Sequence, residues 1–221
     1  MKRIAVVIAV AVAAAALGLA VAAGPKPSEV PVTWELGIDI YDVVKPILVT
    51  LPGADEPSVF WYLRYLVSNE TGEDREFTPV IDLATNTGYV YRIGTDTPPQ
   101  VFQRIKGLHN QPLLLDLHAM AGRILQGEDN AKDGVAIWPD FDSQAGVIEI
   151  FISGLSGETQ TIHLPYPVDQ VTVDPDGNES MQQVTEVTLR KTLKLTYALA
   201  GEAEARLTTP AKLIGKQWIM R

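Results

Sequence analysis

The residues with the clearest potential for chemistry lie in acidic turns. Asp174, Asp176 and Asn178 alternate with Pro175 and Gly177, and hard oxygen ligands at alternate positions are what Ca²⁺ prefers. The EF-hand loop requires Gly at its sixth position and Glu at its twelfth, where this chain has Glu179 and Thr185. The three oxygen-bearing residues are therefore a predicted calcium site outside the EF-hand class, with a plain hairpin turn as the alternative.

A second acidic pair lies beside aromatic residues. Asp140 and Asp142 follow Trp138, and residues two apart on an extended strand point the same way, about 7 Å from each other. Glycosidases use two carboxylates at roughly this separation. The segment predicts a ligand-binding site at Trp138, Asp140 and Asp142, or, less favoured, a hydrolase that uses the two acids. The alternative to both is a solvated strand end that turns after Pro139.

Other catalytic patterns are absent from the sequence. The chain has no Cys, no Gly-x-Ser-x-Gly and no Gly-rich phosphate loop. His109 and His118 are nine residues apart, which is not the i, i+4 spacing of a helical zinc pair. We therefore predict that the protein is not an enzyme, that it has no catalytic or cofactor-binding residues, and that calcium at residues 174–178 is its single candidate cofactor.

The first 23 residues have the pattern of a secretory signal peptide. Lys2 and Arg3 precede an apolar run from Ile4 to Ala23, and small residues occupy the end of that run. As a helix the run would reach about 30 Å, so an uncleaved membrane anchor is the alternative. Residues 24–30 form a Pro-containing linker. We expect a periplasmic or extracellular protein, or one held at the inner membrane by residues 4–23.

The charge of the chain limits its partners. It carries 27 Asp and Glu against 18 Lys and Arg, for a net charge of −9. Nucleic acids and anionic lipid surfaces both call for a basic face, so neither is expected as a partner. The lack of Cys excludes disulfides, but a chain of this length can build a sufficient core without them.

The chain after the linker alternates with the period of β-strands. Val59 to Val67 consists almost wholly of β-formers, which predicts a central strand covered on both faces. Val147–Ser153, Val184–Leu199 and Leu213–Met220 alternate as well, and Pro and Gly separate the runs. The pattern predicts one all-β domain over residues 31–221, an antiparallel immunoglobulin-like β-sandwich of about eight to ten strands.

Two segments bear on helix content. Pro99 to Lys106 is the better helix candidate, because Pro99 suits a first turn and apolar residues share one face. Residues 113–125 fit either a helix face or a strand face, and Gly122 and Gly127 favour the strand. We predict a strand there and at most one short internal helix, besides the N-terminal signal or transmembrane helix.

Two stretches resemble exported bacterial immunoglobulin-like sandwiches, including telokin-like domains of unknown function. In these, an aromatic strand ends in Val-x-Asn-x-Thr/Gly, as in residues 60–74, and a later strand ends in a Pro-Gly-Glu-type turn before a Gly-Val-led strand. Residues 122–128 and 134–138 are similar to this second part, with Gln126 in place of Pro. The sequence of these stretches is also similar to that of hypothetical secreted proteins of planctomycete-type bacteria. The resemblance implies the sandwich fold and no active site.

These observations predict a non-enzymatic structural or interaction module of the cell envelope, whose partner is an envelope protein or a polysaccharide. A carbohydrate- or calcium-binding accessory domain is the alternative. An open aromatic patch or a set of converging oxygen ligands would favour the accessory domain, and a cleft with a buried carboxylate pair would favour a hydrolase.

Overall fold

The computed structural model describes residues 34–41, 43–94, 97–173, 179–201 and 203–221. The strands in these ranges are, in chain order, β1 (Gly37–Ile40), β2 (Lys45–Val49), β3 (Ser58–Ser68), β4 (Arg75–Phe77), β5 (Val80–Thr85), β6 (Val90–Arg92), β7 (Gly122–Ile124), β8 (Lys132–Pro139), β9 (Val147–Ser153), β10 (Thr159–Val173), β11 (Glu179–Ala198) and β12 (Lys212–Met220). The helices are α1 (Pro99–Leu108), α2 (Leu117–Met120) and α3 (Ala203–Arg206). A 3₁₀ turn spans Glu128–Asn130.

Strand β3 is the centre of a four-stranded antiparallel sheet. It pairs with β8 along one edge, with Trp61 opposite Trp138, and with β1 and then β2 along the other. The prediction of a central strand at Val59 to Val67 is confirmed, since its side chains are buried on both faces except at Leu66 and Val59, which are half-buried. A strand buried on both faces calls for apolar residues at nearly every position. The exception is Arg64, whose buried guanidinium forms an ion pair with Asp133 and a hydrogen bond with His109.

A six-stranded sheet packs against one face of this sheet, with strand order β10-β11-β9-β5-β6 and β12 also paired to β11. Both sheets contribute to one hydrophobic core. Its members from the four-stranded sheet include Trp61, Leu63, Tyr65, Ala136 and Trp138. Its members from the six-stranded sheet include Ile81, Leu83, Ile148, Ile150, Leu193, Leu195 and Tyr197. The antiparallel all-β class is therefore confirmed.

The other face of the four-stranded sheet is covered by α1. Val101 and Ile105 of the helix are buried against Phe60 and Tyr62 of β3, in a second and smaller hydrophobic cluster. The predicted helix at Pro99 to Lys106 is confirmed, with Pro99 as its first residue. Its fixed φ and missing N–H cost nothing at that position.

The predictions for helix content and for residues 113–125 are wrong in part. Two further single-turn helices, α2 and α3, exceed the one internal helix expected. Within 113–125 the strand is confined to β7, which pairs with β4. The preceding turn is helical because the Asp116 carboxylate accepts a hydrogen bond from Ala119 N at 2.8 Å and caps α2.

The expected N-terminal signal or anchor and the linker lie outside the described residues, as does the start of the predicted domain up to residue 33. Within the described ranges, the helices are too short or too polar to cross a bilayer.

Candidate interaction surface

Strand β11 is far longer than the sheet that contains it. Its residues 191–198 lie between β9 and β12, as in an ordinary sheet interior. Its residues 179–190 pair with β10 alone among the described strands, from Thr159 opposite Arg190 to Val173 opposite Glu179. Strand β10 and residues 179–190 of β11 therefore form a two-stranded ribbon that continues beyond the sandwich, and we call this ribbon the arm.

The two faces of the arm differ in chemistry. Residues opposite each other in a strand pair point to the same face, and alternate residues share a face. The face that continues the core side of Leu193 and Leu195 carries five apolar residues, which we call the apolar face of the arm: Ile162, Val171, Met181, Val187 and Leu189.

The opposite face of the arm is mostly polar. Ions and hydroxyls pair across the two strands there, with His163 Nδ1 3.0 Å from Glu186 Oε1 and a hydrogen bond of 3.3 Å between the hydroxyls of Thr161 and Thr188. Its apolar residues are the directly opposed pair Val168 and Val184. The apolar residues are therefore concentrated on one face of the arm, although Gln160, Asp169, Gln183 and Thr185 lie on that face as well.

The apolar face of the arm is open. Val171 is 49% exposed and Met181 is 73% exposed, whereas Val187 and Leu189 nearer the body are half-buried. Isolated two-stranded hairpins are only marginally stable in water, and exposed apolar residues grouped on one face of a soluble protein are a candidate interaction site. The apolar face of the arm is therefore the candidate interaction surface among the described residues.

A bulge interrupts β10 in the middle of the arm. The register with β11 shifts between His163 and Val168, across a Leu-Pro-Tyr-Pro segment. Pro165 and Pro167 have no N–H to donate, so this edge of the arm resists addition of a further strand. The bulge also projects Tyr166, which is 78% exposed.

The base of the arm is joined to the body by a half-buried ion cluster. Lys191 Nζ pairs with Glu35 and lies 3.3 Å from Glu158 Oε2 and 5.3 Å from the ring centre of Trp218. Burial alone would lower the pKa of Lys191, but the hydrogen bonds and charges of the two carboxylates outweigh it and hold the pKa above its ordinary value. This cluster marks the point where the core ends and the arm begins.

No known protein family, curated protein or solved structure matches this chain.

The predicted ligand-binding residues lie beside the core. Trp138 is fully buried and has no ring face open to a ligand. Asp140 is exposed, but its carboxylate accepts a hydrogen bond from Trp61 Nε1 at 2.9 Å. Asp142 Oδ1 accepts from Gln144 N at 2.9 Å and thereby closes a turn.

The loop that carries the two acids is held by a buried arginine. The Arg206 guanidinium donates to the backbone oxygens of Asp142 and Ser143. Hydrogen bonds from Thr87 and from the Gln144 backbone, together with the Arg206 charge, lower the pKa of Asp142. Asp140 and Asp142 each have a structural partner, and their role toward a ligand stays a prediction.

The predicted calcium ligands Asp174, Asp176 and Asn178 lie outside the described residues. Elsewhere, across the ranges that the structure describes, His, Asp and Glu do not gather into a group of three or more that could hold a metal ion.

His109 directly follows α1, and His118 lies in α2. His118 lines a cavity of about 330 Å³ whose walls include Ile93, Phe102 and Ile137. The half-buried His109 is hydrogen-bonded to Tyr62 Oη through Nε2 and to Arg64 through Nδ1.

The sequence does not reveal the arm as a separate element. By alternation alone, Val187 and Leu189 belong to the inner face of the predicted strand at Val184–Leu199, together with Leu193 and Tyr197. The pattern identifies the face correctly and does not reveal where the covering sheet ends. The signal in the sequence was the length of the predicted strand at Val184–Leu199, which exceeds that of the other predicted strands and indicates that part of it extends beyond its neighbours.

Proposed function

We propose that this protein is a non-enzymatic interaction module of the cell envelope, which binds another protein through the apolar face of its arm. The observation that carries the proposal is the amphipathic ribbon itself, with open Val171 and Met181 on one face and paired polar side chains on the other. A ribbon with one apolar face gains stability when that face is covered by a partner.

The chemistry of the face favours a protein over a polysaccharide as the partner. Aliphatic and Met side chains pack against protein side chains of any shape, and Met is common at adaptable protein-binding surfaces. A sugar site needs flat aromatic rings that are open to solvent, and the five residues that define the apolar face of the arm are aliphatic or Met, with the exposed ring of Tyr166 confined to the bulge. The supporting geometry therefore leans away from the carbohydrate-binding alternative.

The proposed location is the periplasm or the extracellular space, or the outer side of the inner membrane if residues 4–23 remain as an anchor. The basic start, the apolar run and the small residues near position 22 support export. We also propose that the two packed sheets belong to the immunoglobulin-like class, which the sequence resemblance at residues 60–74 and 122–138 supports.

Photocrosslinking in cells of the organism that encodes the chain tests the proposal. A photoreactive amino acid is placed at Met181 on the arm and, as a matched control, at Leu113 on the body, which is 79% exposed. We expect a covalent product heavier than the chain from position 181 and little from position 113. A lack of product at position 181, or equal product at both positions, would overturn the proposal.

A further inference from the structure

We infer that the partner of the arm supplies an extended protein segment, which adds as a further strand to the open edge of β11, in line with β12. The inference rests on the proposed function of the arm, and it names the chemistry of the partner and the way in which the partner is held.

The direction of the backbone groups along the arm is fixed at its base. Arg190 N donates to Arg221 O at 2.8 Å, and Arg190 O accepts from Arg221 N at 3.1 Å, so both groups of Arg190 point to the side of β11 on which β12 lies. Lys191 N donates to Glu158 O and points to the opposite side. Because this direction alternates along a strand, the even-numbered residues of β11 in the arm point to the side of β12, and the odd-numbered residues point to β10.

The side of the arm that continues the line of β12 is an open edge. β12 pairs with residues 191–198 of β11, and no described strand lies on that side of the arm. The backbone N–H and C=O groups that point to this edge, without a partner in the described part of the chain, include those of Gln182, Val184, Glu186 and Thr188. A regular row of backbone donors and acceptors is the template that another extended polypeptide matches.

Other strand edges in the described chain carry features that prevent such pairing. Strand β6 has three residues, β2 contains Pro46, and β10 has two prolines at its bulge. Strand β12 carries Lys212 and Lys216, and its register with β11 shifts. Short edges, prolines, lysines and bulges are the usual means by which proteins avoid strand addition. Residues 179–190 of β11 contain no Pro, Gly or Lys, so the arm has one blocked edge and one open edge.

The two faces of the arm define the side chains of the partner strand. Residues opposite each other in a strand pair share a face, so partner residues opposite Met181, Val187 and Leu189 lie beside the apolar face of the arm. The partner residues between them lie beside Glu186 and Thr188 on the polar face. We therefore expect a partner segment with apolar residues at every second position, which packs against the apolar face of the arm from its side.

The charge of the chain favours a different protein over a second copy as the source of the strand. Each copy has a net charge of −9, and two copies joined along their arms would bring two such charges together. Like net charges of this kind keep copies of a protein apart. The partner is therefore a different protein that offers an extended segment.

Two substitutions at Thr188 test strand addition. Thr188→Pro removes an N–H that points to the open edge and places the proline ring where the added strand would lie, and proline is tolerated at edge positions of this kind. Thr188→Val also removes the hydroxyl but keeps the N–H. Each is introduced in cells into the full chain that carries the photoreactive amino acid at Met181. We expect the yield of crosslinked product to fall at least about fivefold for Thr188→Pro and to stay near the parent value for Thr188→Val.

Hydrogen exchange keeps the test independent of the fold of the Thr188→Pro variant. The covalent product formed at Met181 by the chain with Thr188 intact is purified in mild detergent beside the free full chain, and exchange is read residue by residue by mass spectrometry. We expect the amides of Glu186 and Thr188 to exchange at least about tenfold more slowly in the product. Those of Val187 and Leu189 point to β10 in the free chain already and should change little.

Equal yields from the two Thr188 variants, or even-numbered amides that exchange as in the free chain, would overturn strand addition and leave the proposed function standing. A partner that lies flat on the apolar face of the arm would give this result. A product with twice the mass of the chain would overturn a different protein as the partner. A lack of product at Met181 in the parent would overturn both the inference and the proposed function.

Discussion

Glu158 and Lys191 lie opposite each other at the base of the arm, with Glu158 Oε2 3.3 Å from Lys191 Nζ and Glu158 O accepting from Lys191 N at 3.0 Å. Both side chains are largely buried, and Glu35 completes the cluster from the four-stranded side of the body. A cation at this position of β11 interrupts the apolar alternation where the core ends. The cluster thereby ties the base of the arm to the body.

Replacing Lys191 with Met should lower the free energy of unfolding by about 2 kcal/mol, because it leaves the largely buried Glu158 carboxylate without its cation. The matched control is Lys194→Met, whose ammonium pairs with the more exposed Glu149 and should cost about 0.5 kcal/mol. Urea denaturation measures both changes. Equal losses of unfolding free energy would show that the Lys191 cluster stabilises the fold no more than the more exposed pair of Lys194 and Glu149 does.

The same cluster predicts a dependence on alkaline pH. The pKa of Lys191 is raised in the folded protein, so its stabilising effect is fully present below its ordinary value of 10.5 and is lost as pH rises through the folded pKa. The difference in unfolding free energy between the parent and Lys191→Met should therefore shrink above about pH 10.5 and stay constant at neutral pH. A difference that grew with alkaline pH would contradict the assignment.

Gly134 should tolerate no larger residue. A Cβ atom there would lie 2.8 Å from Tyr65 Cζ and 2.9 Å from Met120 Sδ, in a packed part of the core. We expect Gly134→Ala to cost about 2 kcal/mol through overpacking. Gly107→Ala in α1 is the control, since a Cβ there meets nothing within 4 Å and should stabilise the helix by about 0.5 kcal/mol. Thermal denaturation should shift in opposite directions for the two variants.

Asn69 should be a structural residue and not a glycosylation site, although Asn69-Glu70-Thr71 matches the acceptor pattern. It is fully buried, and its Nδ2 donates to Glu73 O at 2.9 Å and to Ile124 O at 2.8 Å. Asn69→Ala leaves these carbonyls without the amide and should cost about 3 kcal/mol. Asn130→Ala removes a more exposed amide and should cost about 0.5 kcal/mol in the same urea titration.

The hydroxyls of Tyr65 and Tyr197 are buried without a hydrogen-bond partner among the described residues. Tyr197→Phe should therefore raise the free energy of unfolding by about 1 kcal/mol, whereas Tyr166→Phe at the exposed bulge should change nothing. Chemical denaturation of the two variants measures this, and a loss of stability in Tyr197→Phe would show that its hydroxyl has a partner.

Burial raises the pKa of Tyr65 and raises the pKa of Tyr197 to about 12. Both groups favour the neutral form in the folded state, so stability is present below the ordinary pKa of 10.0 and falls as pH rises above it. Tyr197→Phe should flatten that fall between about pH 10 and 12. Tyrosinate absorbance, followed together with circular dichroism, should show these two rings ionising as the protein unfolds.

The sequence predicted the elements that depend on local pattern. β3 and α1 followed from a run of β-formers and from Pro99 ahead of a helical face, because these signals act over a few residues. For residues 113–125 the predicted strand holds only at β7, because the Asp116 cap makes the preceding turn helical and the pairing with β4 confines the strand to Gly122–Ile124. Trp138 is buried although its neighbours in sequence include Asp140 and Asp142, because its neighbours in space are core residues.

The sequence by itself determined the antiparallel β class, the freedom from disulfides, the acidic charge and the face to which each strand residue points. These properties follow from composition and from the two-residue period, which each segment carries alone. Only the tertiary structure decided where the second sheet ends, and therefore which part of β11 is core and which part is arm. Val187 and Leu195 share one alternation, but the covering sheet is contributed by distant residues and reaches Leu195 but not the arm. Leu195 is therefore fully buried, Val187 is half-buried, and Met181 farther along the arm is exposed.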